Sequence, residues 1–268
     1  MISTMKPSKG LREAIVFCSG IILLGCLIQA AGWIRDDRLV FPDVIDILRA
    51  FFRLLGKQQT YVKIGVTLAH LLEVMAVSAV LGIAIGLAEG LSDTVRTLLK
   101  PAMILLRSIP MIVMVVIIMV LTKYDRVPLI ASSLFVIPII SEAASEGCRS
   151  IEPELIDVYR LNSGFNLRVL FDVYLPLIAG YLRQAYANAV GMGLKLVVTT
   201  EYLVQTKNSL GKAVYSSSYF NEYQDIYAYA LIMILLVLLV GELPAIWTRI
   251  REQVFGKGNI PAESKSTM

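Results

Sequence analysis

Glu73, Arg107, Arg183 and Lys195 are ionisable residues set within long apolar runs, and Glu201 stands just past the end of one. On insertion scales a charged group at the centre of a membrane helix costs about 2.5–3.5 kcal/mol, so each must pair, face water or a solute path, or snorkel. Arg107 and Arg183 lie near enough to one end of their runs to snorkel, while Glu73 and Lys195 fall toward the opposite half. Lys195 sits in Gly193-Leu-Lys-Leu-Val-Val, where nothing in its own helix neutralises it. It therefore snorkels, faces a cavity, or pairs with Glu73 or Glu201 across spans. Lys195 and Glu201 are six residues apart, which puts them on different faces of one helix. Other chemistry finds little support. His70 is the only histidine, and Cys18, Cys26 and Cys148 have no metal-ligand spacing. Ser216-Ser217-Ser218 has no histidine nearby to activate it. No basic patch with interleaved aromatics suggests nucleic acid. No G-x4-G-K-S/T loop cradles a nucleotide, so energy for any pumping comes from a partner. What remains is conformational work in a membrane.

The elements that hold these residues are apolar helices. The chain has 268 residues, 56% hydrophobic and 17% charged, against about 25% charged in soluble domains. About 20 apolar residues cross a bilayer. Six runs meet that length: Ala14 to Trp33, Gly65 to Leu87, Pro101 to Thr122, Val127 to Ala144, Pro176 to Thr200, and Ile226 to Trp247. The expected fold is therefore an all-α membrane protein with about six spans. Between the first two runs, Phe41-Pro42-Asp43 opens an amphipathic stretch through Leu55, with Pro42 fitting a first helical position. Its Arg49, Arg53 and Lys57 suit a membrane surface. Gly82, Gly86 and Gly90 form a small-xxx-small row that admits a close neighbour. The divisions are 1–60 for the first span and surface helix, 61–250 for the core, and 251–268 for the tail. Six spans place both termini on one side, and Lys6, Lys9 and Arg12 favour the cytoplasmic side.

The polar segment from Ser145 to Leu175 is the most informative. Glu152-Pro153-Glu154 suits a helix start, with acids at the positive end of the dipole. Leu155, Ile156, Tyr159 and Leu161 give an apolar side, and Ser163-Gly164 a stop. A second helix leads from Phe165 to Leu175-Pro176. A helix, a glycine turn and a helix entering the membrane can dock into a soluble partner and pass motion to the spans. An ordinary loop between spans fits the periodicity as well.

The segment resembles the EAA loop of ABC importer permeases, whose pattern is E-A-A, three residues, G, nine residues, I, one residue, L-P. Asp157, Val158 and Tyr159 take the E-A-A positions, Ser163 the glycine, Val173 the isoleucine, and Leu175-Pro176 the L-P. The acid is shorter and the true glycine, Gly164, is displaced by one. The Pro-Glu-Leu-Ile before it, with Glu154, is typical of the family. Further matches follow in order: Phe41-Pro42-Asp43, Thr67-Leu68, the glycine row, Leu106-Arg107-Ser108-Ile109-Pro110, Phe135 to Pro138 with Gly147, Lys195 with Glu201, and Leu210-Gly211. Together they resemble the branch of nitrate, taurine, sulfonate and thiamine-precursor permeases. The family's Pro-Leu and Phe-Gly of the third span are missing, and His70 stands where an arginine is common.

The resemblance implies the type I importer permease fold and a place in the bacterial cytoplasmic (inner) membrane with both termini inside. It implies a second permease copy, expected as a homodimer, a pair of cytoplasmic ABC ATPases that hold ATP and Mg, and an extracytoplasmic solute-binding protein. The chain itself would carry no cofactor and be no enzyme. Glu154, Asp157, Val158, Tyr159, Ser163 and Gly164, within 147–176, would couple to the ATPase. Arg107, Pro110, Lys195 and Glu201 would line or gate the path. The solute would be small and anionic or polar. A self-sufficient secondary transporter or channel is the alternative, though no repeat joins the two halves.

Overall fold

The structure is a computed structural model, and it describes residues 19–20, 42–152, 154 and 169–255, with backbone only from 242 onward. The first expected span, and Asp157, Val158, Tyr159, Ser163 and Gly164, lie outside the described residues.

Every regular element among the described residues is helical: α1 Val44–Leu55, α2 Gln58–Leu91, α3 Asp93–Ser108, α4 Met111–Leu121, α5 Val127–Arg149, α6 Leu175–Val204, α7 Leu210–Tyr219 and α8 Tyr223–Phe255. A single 3-10 turn, Tyr124–Arg126, leads into α5, and one π-helical stretch, Leu170–Tyr174, leads into α6. Helix α1 is amphipathic as expected, burying Ile47, Ala50 and Leu54 and exposing Ile45 and Phe52. It starts at Val44 rather than at Pro42, with Asp43 in the cap position. Arg53 pairs with Asp225, which fixes α1 to the start of α8.

Three described helices are long and apolar enough to cross a membrane: Gln58–Leu91, Tyr124–Arg149 and Tyr223–Gly241. The third expected span differs from its reading as one helix. It is a pair, α3 and α4, bent by 104° at Ile109–Pro110. Ile109 takes an extended conformation, φ −68° and ψ 127°, because a following proline disfavours the helical region for the residue before it. Counting the pair as one span gives four. Helix α6 has 30 residues, long enough to cross, but Arg183, Lys195 and Glu201 with its amides and threonines make it too polar to count on apolarity.

The core is α2 laid along α5, and α5 along α6. The glycine row makes the first contact possible. A Cβ on Gly82 would lie 2.8 Å from Ile140 Cβ, and one on Gly90 would lie 2.5 Å from Cys148 Cβ. Leu71, Val74, Val136, Ile140, Ala189, Leu194 and Val197 fill the seam between the three helices. Helix α4 packs separately on α5 through Met114, Val115, Ile118, Val127 and Ala131.

Candidate functional site

Two polar centres interrupt this apolar frame, one at each end of α2. At the end nearer Gln58, Glu201 is fully buried at 0% exposure. A buried carboxylate is tolerated when its lone pairs are satisfied. Thr67 Oγ1 donates to its Oε2 at 2.9 Å, and the Gly211 backbone N–H donates to the same oxygen at 3.2 Å. His70 Nδ1 meets Oε1 at 2.7 Å. The Leu210 N–H in turn donates to Thr67 Oγ1 at 3.0 Å. One carboxylate thus ties α2, the end of α6 and the start of α7 together. Gly211 allows it: a Cβ there would lie 2.5 Å from Glu201 Cβ and from Tyr202 N.

Within one chain the structure does not pair Glu201 with Lys195, one of the alternatives left open for that lysine. Lys195 is exposed, beside an apolar groove with Ala230, Met233, Ile234 and Val237 of α8. No carboxylate lies within 4 Å of it among the described residues. Glu73 and Arg183 are exposed as well. Thr67 and His70 are the residues the sequence reading missed as partners. Their i, i+3 spacing on one face of α2 was the available signal.

At the opposite end, α3 fully buries no residue of its own; Leu106 packs against the α4–α5 cluster, and ion pairs clip both ends. Arg107 forms an ion pair with Glu142 Oε2 at 2.8 Å and donates to the Pro138 carbonyl at 2.9 Å. Asp93, at the other end of α3, pairs with Arg149 at 2.5 Å. Between these clips lies a cleft of about 600 Å³ lined by Glu89, Arg96, Lys100, Arg107, Glu142 and Glu146. Glu89 is buried and accepts from Ser141 Oγ at 3.2 Å. Pro110, exposed, caps α4 at the bend. Arg107 and Pro110 are thus the last turn and the pivot of one bent element.

The clips suggest a test. Exposed ion pairs contribute about 0–1 kcal/mol, so they set the position of α3 more than the stability of the fold. We expect Arg107→Glu to reduce solute uptake, the activity the family resemblance implies, several-fold at normal protein level, and Arg107→Glu with Glu142→Arg to recover much of it. A double variant no better than the worse single would remove the pair from the mechanism.

Both stems of the 147–176 segment are anchored beside that cleft. A Cβ on Gly147 would lie 2.9 Å from Ile178 Cβ, so α5 and α6 touch where the segment leaves and returns. Leu87, Ala144, Cys148, Tyr174 and Ile178 form a small core at this crossing. Leu175 N–H donates back to Leu170 O, a widened turn just before Pro176, and such turns recur at functional sites. Glu154 is exposed and helical; the other coupling residues lie outside the described residues.

The family model described as "Binding-protein-dependent transport system inner membrane component" matches residues 78–253. The glycine betaine transport system permease protein OpuAB of Bacillus subtilis (strain 168) is 26% identical over 209 residues, covering 78% of this chain and 72% of that one. The solved inward-facing MetNI methionine ABC transporter aligns with TM-score 0.58 and 17% identity, covering 74% of this chain and 99% of that chain. Neither relative is named from the nitrate, taurine, sulfonate or thiamine-precursor branch. The matched region holds the glycine seam from Gly82 onward, the bent pair, the 147–176 segment and Glu201, and the chain is a multi-pass membrane protein of the binding-protein-dependent transport system inner membrane component family.

Proposed function

We propose that this chain is the permease subunit of an ATP-driven importer for a small polar organic solute. The observation that carries the reading is the family match over 78–253, which encloses the 147–176 segment and its anchored stems. The relative that carries glycine betaine in its name supports a small polar organic cargo. Energy comes from a separate pair of cytoplasmic ATPases that hold ATP and Mg. Closure of that pair displaces the segment through Glu154, Asp157, Val158, Tyr159, Ser163 and Gly164. The bound state of the ATPase then biases an inward–outward equilibrium, as any ligand with unequal affinity for two states must. An extracytoplasmic binding protein supplies the solute, and a second copy of the chain completes the path. Both termini, and the 147–176 segment, face the cytoplasm of a bacterial cell. Arg107, Pro110, Lys195 and Glu201 line or gate the path, with Glu201 acting through the fold rather than by contact with solute.

One experiment tests partner and orientation together. Glu154→Cys, paired with a cysteine on the ATPase surface, should crosslink in intact cells. A crosslink to no ATPase, with Glu154→Cys labelled instead from outside unlysed cells, would sink both the orientation and the coupling role.

A further inference from the structure

A second cleft, of about 360 Å³, lies where the first turns of α2 meet the turn 205–209 and the start of α7. Its lining includes Lys63, Lys207, Asn208, Ser209, Lys212 and Ser216. Every charged group in that lining is a lysine. No carboxylate lies within 4 Å of any of the three among the described residues. Lys63 Nζ donates to Tyr229 Oη at 3.1 Å and lies 5.4 Å from the centre of that ring. That neutral partner fixes the ammonium and leaves its charge uncompensated.

The cleft is built rather than incidental. Gln205 and Asn208 both take left-handed backbone, φ 56° and 55°, in a tight turn on which Lys207 and Asn208 are exposed. The turn is pinned from beneath by the Glu201 knot. Ser209 is spent on structure: its hydroxyl donates to Thr206 O and accepts from Lys212 N. Three lysines lining one concavity, with no carboxylate in reach among the described residues, make it electropositive and favourable to an anion.

The surroundings point to the source of that anion. Tyr61, Tyr219 and Phe220 are 57%, 71% and 68% exposed at this end of the helices. Lys212, Ser216 and Tyr219 follow i, i+4, i+7 spacing along one stripe of α7. Exposed aromatics beside lysines mark the level of lipid headgroups, and a lysine cleft at that level faces the phosphates of the leaflet at this end of the helices. A concave cleft suits a compact anion better than a flat protein face. We propose that Lys63, Lys207 and Lys212 form a binding site for the phosphate of an anionic lipid headgroup.

The full-length chain, purified in neutral detergent, is offered equal phosphatidylglycerol and phosphatidylcholine and read by native mass spectrometry. Each lysine near a membrane surface is worth roughly a fivefold change in anion affinity. The wild type should retain phosphatidylglycerol several-fold over phosphatidylcholine. Lys63→Gln with Lys207→Gln and Lys212→Gln should abolish the preference, and the matching triple arginine variant should keep it. A parallel arm measures thermal protection by inorganic phosphate against chloride at equal ionic strength. Protection by free phosphate equal to that by the lipid, lost in the glutamine variant, would make the site one for soluble phosphate and overturn the lipid source. A phosphatidylglycerol preference that survives the glutamine variant, or none in the wild type, would overturn the site. So would loss of binding-protein association in the glutamine variant without any lipid preference, which would make the cleft a docking face for an acidic protein.

Discussion

Gly86→Val will abolish accumulation of folded protein, while Gly65→Val, in the same helix, will leave it intact. Both glycines belong to α2, so helix propensity treats the two changes alike. Their surroundings differ. A Cβ on Gly65 meets nothing within 4 Å, whereas one on Gly86 would strike the Ser141 carbonyl and come within 2.6 Å of Ala144 Cβ. The obstacle is backbone of α5, which no rotamer change can move. Overpacking in a core usually costs about 1–3 kcal/mol, and an intrusion against backbone belongs at or beyond the upper end. Relief requires α2 and α5 to separate along the Gly82–Gly90 seam, which loosens Leu71, Val74, Val136 and Ile140 together. Fluorescence-detected size exclusion on detergent extracts reads the outcome. A monodisperse Gly86→Val peak at wild-type yield would mean that the α2–α5 packing is wrong.

Glu201→Leu is expected to be nearly as damaging, and Glu201→Gln mild. Leucine strands the Thr67 hydroxyl, the Gly211 N–H and the His70 ring nitrogen beside a position that is fully buried. Each orphaned buried donor costs about 1–3 kcal/mol. The turn 205–209 and α7 should then detach from α2. Glutamine keeps the shape: its carbonyl oxygen can accept from Thr67 and Gly211, and its amide can donate to a neutral His70. Thermal unfolding of the purified chain should show a large drop for leucine and a small one for glutamine. Equal stability of all three proteins would mean that the knot does not hold the fold. A stable Glu201→Gln that no longer supports uptake would instead assign the carboxylate's charge to gating.

Much of the architecture was legible because it rests on local patterns. The amphipathic spacing from Val44 to Leu55, the glycine row, and the apolar runs of α2, α5 and α8 all fall on helices, though Gln58–Leu91 and Tyr223–Phe255 run well beyond the apolar stretches that announced them. The bend at Ile109–Pro110 was legible in principle from the proline rule. It was overridden by an apolar run that continued from Pro101 to Thr122 at the length of one span. The polar knot was not legible, because Thr67 and His70 meet Glu201 across separations of 134 and 131 residues. No periodicity encodes such a meeting. The structure does give the histidine at 70 a reason, since a histidine or an arginine there can donate to a carboxylate at 201. Lys195, lone in its helix, suggested a cross-span partner by charge alone. Pairing also needs a shared face, and the buried face of α6 carries Glu201, not Lys195.

The central claim is that motion of the 147–176 segment couples transport to a separate ATPase. The most direct measurement is solute uptake and ATP hydrolysis in proteoliposomes that hold the chain with its ATPase, comparing wild type with Gly164→Val and Tyr159→Asp. Valine replaces the glycine expected from the sequence to turn the chain, and aspartate places a charge on the side expected to be apolar. Both variants are expected to insert and fold normally, to lose most uptake, and to lose the stimulation of hydrolysis by solute-loaded binding protein. Wild-type uptake and stimulation in both variants, at equal protein level, would contradict coupling through this segment.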